Sequence, residues 1–341
     1  MPAIVETRGL TRRYGATLAL DHLTLEIPQG AIFGFIGPNG AGKTTTMRIL
    51  TTLLPPSSGE AWVAGHSVLR DPLGVRKVVG FMPDYFGVYE NIKVWEYLDF
   101  FGRAYGVPAA RRAGLLGELL ELVDLSHKRE AFVMTLSRGM KQRLSLARTM
   151  IHDPALLILD EPASGLDPRA RIELRELLKE LRALGKTVMI SSHILTELAE
   201  MCTHIAIIER GRLLASGDVQ TILRSLQPHR TLELRVLEGG ERAEQLLRAH
   251  AQVLDVRRDE IAAGAAPAAE EDDRAAEVAA DAPPSDSPAP LTLLADYTGD
   301  ERGMGELLGM LIANGVVVSR FAEQASDLED IFMQVTEGIV Q

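Results

Sequence analysis

The chain has 341 residues, 46% of them apolar, a formal net charge of −11 and one cysteine, Cys202. That length exceeds what one hydrophobic core usually fills, so a large domain with a smaller companion is expected. The acidic balance argues against a duplex-binding surface, and a single thiol rules out an internal disulfide framework and points to a reducing, cytosolic compartment.

At the amino terminus, "MPAIVETRGLTRRYG" holds no apolar signal core. The longest uncharged run, Ile27 to Gly42, is too short and too rich in Gly, Pro and Asn to span a bilayer. The chain is therefore expected not to cross a membrane by itself. Over residues 1–225 strands and helices alternate, the pattern of an α/β architecture with a largely parallel sheet.

The strand "AIFGFI" runs into "GPNGAGKTT", and "KTTTMRILTTLL" reads as the following helix. An ordinary turn would explain three glycines. A phosphate cradle explains their placement between strand and helix, with a lysine at the end. In that reading Gly37, Pro38, Asn39, Gly40, Ala41, Gly42, Lys43, Thr44 and Thr45 form a nucleotide-binding loop. Backbone N–H groups and the helix dipole face phosphate oxygens, Lys43 adds a point charge, and the Thr44 hydroxyl can ligate Mg²⁺.

Next comes "GFMPDYFGVYENIKVWEYL", opening a helical stretch over about 85–150, with Asp84 at its head. Its aromatics Tyr85, Phe86, Tyr89 and Trp95 fit core packing or a docking face, and a mixture of the two is expected. In "TLSRGMKQRLSLARTMIHDP", Ser137 stands where a helix begins, as a capping residue does. "ALLILDEPASGLD" then offers a four-residue apolar strand, Leu156 to Leu159, ending at Asp160 and Glu161. Beside a phosphate loop, the first carboxylate can hold Mg²⁺ and the second can act as general base. Read alone, the pair is a solvated strand end. "TVMISSH" is a further strand, closing on His193.

From residue 229 on, two halves repeat a βαβ pattern. "RTLELRVL", "GERAEQLLRAH" and "AQVLDVRR" form the first, and "LTLLADY", "RGMGELLGMLIANG" and "VVVSRF" the second. This is the order of a ferredoxin-like α+β domain. Between them, residues 259–290 carry nine acidic residues against the single Arg274, with no aromatic. Such a composition cannot bury enough apolar surface to offset its ordering entropy and reads as a disordered insertion. A last helix is expected over "SDLEDIFMQVTEGIV", with Ser326 as cap and Leu328, Ile331, Phe332 and Val335 on one face.

Taken together, residues 1–225 resemble the ATP-binding cassette (ABC) ATPases. "GPNGAGKT" is similar to their phosphate loop, "LSRGM" to their signature, "ILDEP" to their second nucleotide motif, "SGLD" to the loop after it, and "SSH" to their switch histidine. The resemblance implies an ABC-type phosphate-loop fold with a helical subdomain, binding ATP and Mg²⁺. It assigns adenine stacking to Tyr14, metal contacts to Thr44, Asp84 and Asp160, catalysis to Glu161 and His193, and further nucleotide contacts to Ser137, Gly139 and Asp167. Three positions depart from the family pattern: Asp84 stands for a glutamine, and Arg138 and Met140 replace the Gly and Gln of the signature.

The appended C-terminal module resembles that of type-2 ABC exporter subunits. This implies a head-to-tail dimer of two copies around ATP and a separate transmembrane permease. It further implies a place on the cytoplasmic face of the membrane and no nucleic-acid partner. The alternative is a soluble ABC-type ATPase acting on ribosomes or nucleic acid without transport.

Overall fold

The computed structural model describes residues 2–84, 87, 91–226, 230–258 and 291–323. Tyr85, Phe86 and Tyr89, the acidic insertion over 259–290 and the helix expected over 326–340 lie outside the described residues. The chain separates into two compact units, one running to Leu223 and the other starting at Arg224.

The first unit opens with two long strands, β1 (Ala3–Tyr14) and β2 (Thr17–Pro28), paired antiparallel. Then follow β3 (Ile32–Ile36), α1 (Lys43–Leu50), β4 (Ser58–Val63), β5 (His66–Ser67), α2 (Pro72–Val78) and β6 (Val79–Met82). Three helices come next: α3 (Val94–Ala104), α4 (Ala109–Leu122) and α5 (Arg138–Met150). The unit closes with β7 (Leu156–Leu159), α6 (Pro168–Ala183), β8 (Thr187–Ser192), α7 (Leu195–Met201), β9 (His204–Glu209) and β10 (Arg212–Asp218), and α8 (Val219–Leu226) runs across the division at Leu223.

These strands make two sheets. The larger has the order β10-β9-β3-β8-β7-β6 and is parallel except for β10. Strands buried on both faces read as unbroken apolar runs, as β3 and β7 do. The smaller sheet, β2-β1-β4-β5, is antiparallel throughout. It is not part of the largely parallel sheet expected from sequence. Its strands alternate buried and exposed positions, as one-faced antiparallel strands do. One core joins both sheets through α1, whose Met47, Ile49 and Leu50 are fully buried beside Leu10, Leu20, Phe33, Phe35 and Ile158.

Each helix that positions the site has a physical start. Asp167 caps α6 by accepting from the Ala170 N–H (2.8 Å), with Pro168 in the first turn. Ser137 caps α5 through the Met140 N–H. The α3 start is closed by the Glu96 carboxylate on the Lys93 N–H (2.8 Å).

Just past α5, the His152 ring stacks on Tyr105 at 4.0 Å, with its Nε2 3.0 Å from the Val79 carbonyl. That contact needs Nε2–H as donor. Nδ1 is buried with no hydrogen-bond partner, so a second proton there would be an unpaired buried charge. Burial accordingly pulls the His152 pKa below its ordinary value. The folded state then binds fewer protons than the unfolded one below about pH 6.5, so stability is full above that value and falls as pH drops through it. The melting temperature is expected to decline between pH 7.5 and 5.5 in the wild type and more shallowly in His152→Gln, which keeps a donor but does not titrate. Parallel slopes would remove His152 from the account.

The second unit runs β11 (Arg230–Glu238), α9 (Gly240–Ala249), β12 (Val253–Arg258), β13 (Leu291–Tyr297), α10 (Glu301–Ala313) and β14 (Val317–Glu323). Its sheet has the order β12-β13-β11-β14 with every neighbour antiparallel. Leu232, Leu234, Val236, Leu293, Ala295 and Tyr297 form its core with Leu247 of α9 and Leu307 and Leu311 of α10. The insertion therefore joins two neighbouring antiparallel strands, paired up to Arg258 and Leu293.

Candidate functional site

The carboxyl ends of β3, β6, β7 and β8 lie side by side, because these strands are parallel and ordered β3-β8-β7-β6. Open parallel sheets bind ligands at that edge. A cavity of about 370 Å³ opens there, lined by residues 38–45 together with Asp84, Glu161, Ser164 and His193. One loop follows each strand into it: residues 37–42 after β3, Asp84 after β6, Glu161 after β7 and His193 after β8.

The loop after β3 is held tightly against its surroundings. Gly42 has φ 109°, and a methyl there would lie 2.8 Å from the Ala19 carbonyl, so only glycine fits. Lys43, the first residue of α1, is 6% exposed. Its ammonium donates to the Gly37 (2.6 Å) and Pro38 (3.3 Å) carbonyls and stands 3.5 Å from the Glu161 carboxylate. Burial lowers the Lys43 pKa, and the Glu161 charge opposes that shift.

Glu161 is the hub. One carboxylate oxygen faces Lys43 and the other is 3.0 Å from Nδ1 of the half-exposed His193. Its backbone sits at φ 50°, in the left-handed region that a residue with a long side chain rarely occupies. Ser191 fixes this geometry. Its hydroxyl accepts the Glu161 N–H (2.8 Å) and donates to the Asp160 carboxylate (2.6 Å). Asp160 itself is 2% exposed, with its N–H tied to the Met82 carbonyl. Strain concentrated at one residue of a cavity wall is a mark of a site held for chemistry.

Three carboxylates crowd this wall. Burial holds the Asp84 carboxyl above the usual range, and the charges of Asp160 and Glu161 push the same way against Arg138. With the Thr44 hydroxyl opposite, the donors are all oxygen, which suits a hard divalent cation. Among the described residues no three His, Cys, Asp or Glu side chains form a metal cage by themselves. Mg²⁺ ordinarily takes few protein ligands and completes its shell with water and phosphate oxygens, so the residues fit it.

Of the residues picked from sequence, the cavity brings together Pro38 to Thr45, Asp84, Glu161 and His193, with Asp160 directly behind. Tyr14, Ser137, Gly139 and Asp167 are not in its wall. Tyr14 is exposed at the end of β1, one face covered by the Arg12 guanidinium at 4.8 Å. Asp167 is engaged as the α6 cap. Ser164 and Ser191 lie within the "SGLD" and "TVMISSH" stretches but take no individual role from sequence. A serine at a strand end or in a turn carries no signal of its own, although both sit within three residues of a residue that was chosen.

A family model described as ABC transporter matches residues 20–164. The chain is 40% identical over 225 residues to Nod factor export ATP-binding protein I of Cupriavidus metallidurans, covering 66% of this chain and 74% of that protein. It is 38% identical over 240 residues to daunorubicin/doxorubicin resistance ATP-binding protein DrrA of Streptomyces peucetius, covering 70% and 72%. A solved structure of an ATP-binding subunit of an ABC transporter superposes with a TM-score of 0.59 at 31% identity, covering 65% of this chain and 92% of the other.

Proposed function

This chain belongs to the ABC transporter family, and from that premise we propose that it is the ATP-hydrolysing subunit of an exporter, driving a separate membrane permease. The observation that carries the reading is the convergence of Lys43, Glu161 and His193 on one cavity behind a glycine loop.

The loop takes the β- and γ-phosphates, with its N–H groups and the α1 amino terminus as donors. Lys43 is already pointed at the loop and exchanges its carbonyl and carboxylate contacts for phosphate oxygens. Glu161 accepts the proton of the attacking water, and His193 holds that carboxylate in place from its other side. Thr44, Asp84 and Asp160 would hold Mg²⁺, which supplies positive charge to the phosphate oxygens when bound.

Tyr14 offers its free ring face to adenine. Ser137 and Gly139, absent from the cavity wall of their own chain, are assigned to the nucleotide of a second copy packed head to tail. There the exposed amino terminus of α5 presents N–H groups to the γ-phosphate. Asp167 lies in the loop between them. The β12-β13-β11-β14 order with two crossover helices is that of a ferredoxin-like domain, which we assign to the second unit. The domains are accordingly taken as 1–225, with its helical part over about 85–150, and 229–341.

Among the described residues no helix is long and apolar enough to cross a membrane, so passage through the bilayer falls to a partner. The name of the Nod factor relative speaks of export, which favours that reading over action on ribosomes or nucleic acid. A second groove of about 540 Å³, lined by Arg48, Leu53, Phe81, Phe101, Tyr105 and Arg148, suits a permease segment with apolar and acidic side chains. Docking would hold the chain at the cytoplasmic membrane face.

Tagged in its own host, the chain is expected to come from membranes with a polytopic protein attached. Leu53→Asp, at a residue 62% exposed, is expected to lower that recovery about tenfold, as loss of an interface anchor does, while ATP turnover of the isolated chain stays unchanged. Recovery with ribosomes instead would overturn the export reading.

A further inference from the structure

Arg138 breaks a local rule. It occupies the first position of α5, where the helix dipole disfavours a cation. It is exposed, so burial of its stem does not explain it. Its guanidinium lies flat against the backbone of Gly165: a methyl built on Gly165 would come 2.5 Å from Cζ and overlap Nη1. Gly165 has φ 67°, so the position is closed to a side chain twice, by conformation and by the guanidinium.

Two further features set the helix start beside this loop. A methyl on Gly139 would meet Leu166 at 3.5 Å and Ala170 at 3.9 Å, ordinary contact distances, so the helix start faces the end of this loop with room for about one methyl between them. One turn on, buried Gln142 donates to the Ser164 carbonyl at 3.3 Å. Ser164 lines the phosphate cavity, and the same loop begins three residues after Glu161. The start of α5 therefore holds residues 164–165 at two points, Arg138 on Gly165 and Gln142 on Ser164. The outer of these is Arg138, placed on the same side as Asp84, which shares the cavity wall.

We infer that Arg138 is a positioning residue: it clips the Ser164–Asp167 loop to the start of α5, so that Ser164 and Glu161 keep their places in the cavity of the same chain. A planar guanidinium can lie on a bare Cα as an ammonium cannot. The clip also ties the cavity to the exposed helix end carrying Ser137, so displacement at one is felt at the other. It touches no reacting atom, and its effect appears in rate and not in ground-state affinity. The inference rests on the reading of the cavity as the ATP site.

The test is steady-state ATP hydrolysis by the full chain in four variants. Arg138→Gly is expected to lower kcat about tenfold, the scale on which small misplacements act, with KM for ATP within about twofold. Arg138→Lys is expected to regain less than about a third of the lost rate. Gly165→Ala, which pushes the flexible guanidinium aside and also strains a backbone at φ 67°, is expected to lower kcat at least as much. In the Arg138→Gly background, Gly165→Ala is expected to cost less than it does in the wild type, because the contact is already gone and only the backbone strain at φ 67° is added.

Wild-type kcat in Arg138→Gly, full recovery with lysine, or effects that multiply in the double variant would each overturn the clip. Lys43→Ala run alongside separates the two ways of failing. If it turns over ATP normally, the cavity is not the ATP site and the inference falls with it. If it is inactive while Arg138→Gly is normal, only the clip is refuted.

Discussion

Glu161→Gln is expected to lower ATP turnover by at least about a hundredfold, the lower end of what loss of a general base costs. The substitution is chosen because it changes charge and basicity while keeping shape. The amide oxygen can still meet His193, which now stands 3.0 Å from the carboxylate. The backbone at φ 50° remains held by Ser191. The phosphate loop, fixed by its own carbonyl contacts to Lys43, is untouched. Binding is therefore expected to survive, and the variant is expected to accumulate ATP-bound dimer visible by size-exclusion chromatography with ATP and Mg²⁺. Removing the carboxylate also takes away the acid that pairs with Lys43 at 3.5 Å, which frees that ammonium for phosphate and works in the same direction. A loss of less than about tenfold in turnover would leave the proton with another acceptor.

The part of this site that was legible in the sequence is the part that depends on spacing along one strand-to-loop step. A buried strand, a glycine loop and a helix beginning at Lys43 are adjacent in the chain, and the same holds for Leu156 to Leu159 followed by Asp160 and Glu161. Their mutual approach is then forced by parallel pairing, since β7 and β3 both flank β8. Other features depend on folding. The smaller sheet pairs β1 with β4 across more than forty residues, and nothing in the local alternation distinguishes it from a further strand of the large sheet. The left-handed backbone at Glu161 is invisible in sequence, because glutamate has no propensity for that region and the Ser191 hydroxyl imposes it from another strand. Asp167 illustrates the reverse: an aspartate before proline reads locally as a helix cap, and within its own chain it is one. Arg138 was legible only as a departure. What it rests on, the bare Cα of Gly165, is twenty-seven residues away and exists only once α5 and the loop meet.

Lys43→Ala is expected to weaken nucleotide binding at least about thirtyfold, corresponding to roughly 2 kcal/mol, the lower bound for truncating one partner of a buried charge pair. The argument turns on what Lys43 does without ligand. Its ammonium is buried, which costs desolvation and lowers its pKa, and the chain offsets that with two carbonyls and one carboxylate. A purely structural lysine would be expected to find a short, direct carboxylate partner. Here Glu161 is held at 3.5 Å, and one side of the group opens on the cavity. That arrangement is poised for a polyanion: phosphate oxygens give shorter, charge-assisted contacts than the carbonyls they displace. The alanine variant loses this gain in the ground state as well as in the transition state, so its affinity falls together with its rate. It also leaves Glu161 without its cation, facing Asp84 and Asp160 across the wall, which adds repulsion to the incoming phosphates. Titration with a fluorescent ATP analogue measures the affinity, and thermal denaturation without nucleotide separates it from damage to the fold. An unchanged dissociation constant in a chain that melts normally would mean that Lys43 only braces its own loop through Gly37 and Pro38, and that the cavity is not a phosphate site.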